Sequence, residues 1–133
     1  MNQQLNVYQR NGSKLGEIVD RQHLQIKREH QDLRKALLEG ADLDRILEIS
    51  TDLILTTLLH FESEERAIGD SVHGKLVAHR QLHTDLIESL KAISIDIEHR
   101  KLNGALELMK FFDGRLTYHL DVEDAEMERI LAN

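Results

Sequence analysis

Four short segments hold the side chains best able to do chemistry. They are "VDRQH" with His23, "HFESE" with His60 and Glu64, "HRQLH" with His79 and His83, and "HLDVED" with His119 and Asp124. Residues four apart share a helix face, so His60 with Glu64, and His79 with His83, can converge on one centre. Imidazole nitrogens and carboxylate oxygens that converge are metal ligands. A set this rich in imidazole suits Fe, Zn, Cu or Ni better than Mg, Ca or Mn. Together the segments supply five imidazoles and two carboxylates. That is too many for one ion of ordinary coordination number, and a natural supply for two ions bridged by carboxylates. The chain has no cysteine, which removes thiolate ligands, disulfides and redox thiols and leads us to expect a cytoplasmic protein.

These residues need rigid elements to position them. The 133 residues suit one domain, with 41% hydrophobic and 31% charged residues, few aromatics, no proline and no tryptophan. Few helix breakers among much Leu, Ile, Glu, Lys and Arg point to an all-α chain. Breaks fall at "NGS" (11–13), "EGAD" (39–42), "IGDS" (68–71) and "SIDIEHRKLNG" (94–104). Between them apolar residues recur at helical spacing: Ile26, Leu33 and Leu37; Leu47, Leu53, Ile54 and Leu58; Leu82, Leu86 and Leu90; Leu106, Met109, Phe112, Leu116 and Leu120. Ser13, Asp42, Ser71 and Asn103 are candidate N-caps, and Gly40 can end the first helix. We therefore expect helices over roughly 14–39, 42–67, 71–93 and 103–131. Short connections predict an antiparallel up-down-up-down four-helix bundle over residues 13–133, with a short N-terminal arm over 1–12.

In such a bundle, residues on neighbouring helices are level when they lie equally far from the turn joining them. His23 with His60, His60 with His79, and His79 with His119 each come within about two residues of level, or about 3 Å at 1.5 Å per residue. His30 shares the stripe of His23 but sits about eight residues out of level with His60, or about 12 Å. It is expected to stay off the centre as a hydrogen-bonded core or neighbouring group, with His73 beside a turn and His99 in a loop.

The fourth helix sets a problem. His119 and Asp124 are five apart, about 140° around an ideal helix, whereas Glu123 at four apart shares the face of His119 better. Spacing alone favours Glu123. A widened turn, such as a π-bulge, would bring Asp124 inward instead.

The ordered set of a histidine, then H-x-x-x-E, H-x-x-x-H and H-x-x-x-x-D resembles the hemerythrin family, particularly its bacterial domains, over about residues 20–131. "VDRQH" is similar to that family's first-helix segment and "HFESEE" to its second-helix signature. The ferritin-like alternative needs Glu-x-x-His on two helices, and this chain has none. The resemblance implies a non-haem centre of two Fe ions with an oxo or hydroxo bridge. His79, His83 and His119 would hold one iron. His23 and His60 would hold the other, with a position open for dioxygen, and Glu64 and Asp124 would bridge. Leu116 falls where the family commonly places an apolar pocket residue. Departures are Arg115, where bacterial members often carry tryptophan, and Ala67 and Ile68, where many carry methionine after the Glu-Glu pair.

The function this implies is reversible dioxygen binding for storage, delivery or sensing, and not catalysis. The alternative is a di-iron enzyme acting on NO or peroxide, or oxidising iron, but nothing resembles a second substrate pocket or an electron-donor site. The chain stops soon after the fourth helix, leaving room for a C-terminal signalling domain in a longer protein. A formal charge of -7 without a basic stripe makes nucleic acid a poor partner. The longest apolar run, "LILTTLL" at 53–59, is too short to span a membrane.

Overall fold

A computed structural model describes residues 12–132. The expected arm over 1–12 lies outside the described residues except for Gly12, which is already helical. The described chain is all-helical. It comprises α1 (Gly12–Leu38), α2 (Leu43–Ile68), α3 (Gly74–Glu98), α4 (Leu102–Phe111) and α5 (Asp124–Ala132). Two π-helical turns, Phe112–Leu116 and His119–Glu123, join α4 to α5 into one continuous fourth rod. The four rods pack as a four-helix bundle. Contacts between the first and last rods pair His23 with Asp124, Lys27 with Asp121, and Arg34 with Asp113. Residue numbers thus rise along one rod as they fall along the other.

Local chemistry explains the boundaries. Gly40 takes φ 68, the left-handed conformation that ends α1 at least cost. The Asp42 side chain accepts from the Arg45 N–H at 2.9 Å and caps α2. Two other expected caps move. α3 is capped by His73, whose Nδ1 accepts from the Lys75 N–H, while Ser71 accepts from the His73 N–H. The fourth rod starts after Lys101, with no side-chain cap. α3 also runs on to Glu98, past the expected end at 93, because nothing in 94–98 breaks a helix and Ile97 is buried there. The break at 94–104 shrinks to a turn around 99–101. His99 ends α3, and Arg100 takes the positive φ.

The core follows the predicted stripes, with one exception. Leu106 is exposed and Ala105 and Leu108 are buried instead, which rotates the start of α4 by about one residue. The buried polar Ser50 and Thr57 donate back to Ile46 and Leu53 carbonyls, so neither hydroxyl is left unsatisfied. The apolar interior has two parts. A large cluster includes Ile26, Leu33, Leu53, Phe61, Leu90, Leu108 and Phe112. A smaller one holds Ala67, Ile68, Leu76, Met127 and Leu131. His60 and Glu64 precede Ala67 on α2, and His119 and Asp124 precede Met127 on the fourth rod. A layer of ionisable groups therefore separates two dry regions.

Candidate metal centre

All seven candidate ligands, Asp124 among them although spacing alone favours Glu123, meet in that layer. Two groups form, with ligand atoms mutually within 4.8 Å: His79, His83, His119, Glu64 and Asp124 in one, and His23, His60, Glu64 and Asp124 in the other. Both carboxylates belong to both groups, and each gives one oxygen to each side. Asp124 Oδ2 lies 3.0 Å from Nε2 of both His23 and His60. Its Oδ1 lies 3.0 Å from Nε2 of both His79 and His119. Glu64 Oε2 lies 2.9 Å from His60 Nε2, and its Oε1 lies 2.8 Å from His83 Nε2.

The donors fit metal ions better than they fit one another. Both Glu64 oxygens, Asp124 Oδ1 and His79 Nε2 are buried without a hydrogen-bond partner, although nitrogens or oxygens lie at 2.8–3.0 Å. They are close, but at the wrong angles for hydrogen bonds. Leaving such groups unpaired costs about 1–3 kcal/mol each, and more when charged. Ligands at right angles on an ion with bonds of about 2.1 Å would sit roughly 3.0 Å apart, and the contacts cluster there. His23 Nε2 to His60 Nε2 is 3.0 Å, and His83 Nε2 to His119 Nε2 is 3.1 Å. The cluster can therefore hold metal ions.

The fourth rod positions Asp124 by the widened turn. Asp124 donates its backbone N–H to the His119 carbonyl five residues back, closing a π-helical turn. That rotation buries Asp124 fully and moves Glu123 to the edge, where it accepts from His119 Nδ1–H at 2.7 Å. The second π-turn, where the Thr117 N–H reaches the Phe112 carbonyl, lies seven residues earlier and had no counterpart in the spacing analysis.

Burial pulls the pKa values of His60, His79 and His119 down. Close contact with the carboxylates of Asp124 and then Glu64 outweighs it and raises them to about 9, 9 and 10. Burial likewise pushes Glu64 and Asp124 up, but the surrounding imidazoles, His119 first, hold both well below the carboxylate range. Protons and metal ions thus compete for the same Nε2 lone pairs.

Several supporting residues went unrecognised in the sequence. His83 Nδ1–H donates to Glu65 Oε2 at 2.6 Å, and His60 Nδ1–H to Gln22 Oε1 at 3.2 Å. The Gln22 amide in turn donates to Ser63. Arg115 donates to Glu123 at 3.0 Å. Phe61 stacks on His83 with centroids 4.6 Å apart and meets His119 edge-on. Only the adjacency of Gln22, Phe61 and Glu65 to the motifs could have signalled them. Leu116 is fully buried in the large core cluster.

His30 stays off the centre, as the level test required. It bonds Asp113 at 2.9 Å and packs on Phe112. Among the described residues no helix is long and apolar enough to cross a membrane. Searches against family models, curated proteins and solved structures return no match to this chain.

Proposed function

We propose that the cluster is a di-iron centre and that the protein binds dioxygen reversibly, as an oxygen store, carrier or sensor. One observation carries the reading: Glu64 and Asp124 each divide their two oxygens between a three-histidine set and a two-histidine set. Two ions held here would share both carboxylates and would have unequal donor sets. His79, His83 and His119 with two carboxylate oxygens supply five donors. His23 and His60 with the other two supply four, so the two-histidine side keeps room for an external ligand. A donor set of imidazole and carboxylate without thiolate suits iron. Two iron ions held here would supply the electrons for reversible dioxygen binding.

The chain's own part is to hold and to exclude. Phe61 braces the imidazoles, and Leu116, one turn before His119 and buried in the adjoining apolar cluster, would contribute apolar bulk beside the centre. No side chain need move a proton. The test is to load the protein with iron anaerobically, reduce it, add oxygen and follow the visible spectrum. A band that appears with oxygen and vanishes on its removal supports the reading. Iron loading far below two per chain, or irreversible oxidation on first contact with oxygen, overturns it.

A further inference from the structure

The backs of the imidazoles are not treated alike. On the three-histidine side, His83 and His119 donate Nδ1–H to carboxylates, Glu65 at 2.6 Å and Glu123 at 2.7 Å. On the two-histidine side, His60 donates to the neutral amide of Gln22 at 3.2 Å. Arg115 adds a further element on the first side: its Nη1 reaches the same Glu123 oxygen that accepts from His119.

A carboxylate accepting the Nδ1 proton fixes the ring's orientation and makes Nε2 a more basic ligand, and an amide does so less. The shorter contacts are those to the carboxylates, as charge-assisted bonds should be. Glu123 also needs holding. It stands at the rim of the π-turn that turned Asp124 inward, with its side chain 20% exposed. Arg115, two turns earlier on the same rod, pins the oxygen that His119 uses.

We infer that Glu65 and Glu123 make the three-histidine position the stronger and first-filled of the two, with Arg115 acting as a positioning residue through Glu123. This rests on the two-metal reading of the cluster. It assigns Arg115 the task of orienting a carboxylate against a ligand.

Cobalt(II) titration of the full chain tests this, with visible absorption for occupancy and a competing chelator for affinity. Two steps are expected, the first abolished by His83→Ala and the second by His23→Ala. Glu65→Gln and Glu123→Gln should each weaken the first step about 10–100-fold, the usual effect of losing such a partner, and leave the second within about threefold. Arg115→Ala should weaken the first step in the native background and do nothing further in Glu123→Gln. Arg115→Lys should restore it, since a single N–H suffices. Both steps weakened equally, an unmoved first step, or additive Arg115 and Glu123 effects would each overturn the inference while the two-metal reading stands. Failure to bind two cobalt ions would overturn both. The partly exposed Arg115 variants keep the test open if a glutamine variant fails to fold.

Discussion

His23 Nε2 on the first helix lies 3.0 Å from Asp124 Oδ2 on the last, although 101 positions separate them. The contact exists because the turn at 119–123 is π-helical. With regular α-helical bonding, Glu123 would share the face of His119 and Asp124 would swing toward the flank. The two neighbours should therefore behave very differently. Asp124→Ala removes a carboxylate oxygen from both donor groups and, on the proposed two-metal reading, should abolish stable binding of at least one ion. Glu123→Ala should keep two ions per chain with weaker affinity. Metal analysis after desalting distinguishes these outcomes, and equal losses in the two variants would contradict the arrangement.

The ionised layer predicts an unusual pH profile for the metal-free protein. His60, His79 and His119 have folded-state pKa values raised from 6.5 to about 9, 9 and 10. Their contribution to stability is complete below pH 6.5 and is lost as pH rises through 9 to 10. Glu64 and Asp124 are held down, so their contribution is present above their ordinary values of 4.5 and 3.8 and is lost as pH falls through the lowered ones. The melting temperature of the metal-free protein should fall steadily from about pH 6.5 to 10. The metal-loaded protein should not follow, because bound ions replace those protons and their affinity rises with pH. Parallel thermal melts check this, and a metal-free melting temperature that climbs over the same range would refute it.

The centre was more legible in the sequence than the fold's details. Helix rise per residue is constant, so distance from a turn translated directly into height, and His23 could be separated from His30 without coordinates. Element ends were less legible. The stretch 94–98 looked like a break because its polar residues obscured the stripe, yet it contains no proline or glycine and stays helical. Spacing alone favoured Glu123, and the π-turn at 119–123 was expected only on the supposition that Asp124, five residues after His119, is the ligand. The one at 112–116 serves no such spacing and left no trace in the pattern. Gln22, Glu65, Arg115 and Glu123 were unreadable as a supporting layer, because exposed-looking polar residues reveal such a role only when a ring nitrogen is seen to meet them.

Gly104 sets the close approach of the fourth rod to the end of α3. A Cβ placed there would come within 2.9 Å of Ile97 Cγ1 and 3.0 Å of the Ile97 backbone nitrogen and Asp96 Cβ. Alanine is the better helix former by about 1 kcal/mol, so a purely local view predicts that Gly104→Ala stabilises. The backbone contact cannot yield as a flexible side chain would. Overpacking of this kind typically costs about 1–3 kcal/mol. We expect net destabilisation in a denaturant melt, with two metal ions still bound because the centre lies far along the rod. A stabilised variant would show that the turn relaxes freely.

The two histidines that share one stripe of α1 should respond differently to substitution. His23 joins the two-histidine group, with its Nε2 3.0 Å from both His60 and Asp124. His30, two turns on, spends its Nε2 on Asp113, which is also held by Arg34. His23→Ala should therefore reduce the metal content toward one ion per chain and abolish the oxygen-dependent band, while His79, His83 and His119 retain their ion. His30→Ala should leave two ions and the band unchanged. It loses one hydrogen bond and a packing contact with Phe112, worth about 1 kcal/mol of stability. Its cost should appear in the melting curve alone. Loss of an ion from His30→Ala would mean that the stripe and not the height decides which histidine serves the centre, and the levelling of all four rods would have to be abandoned.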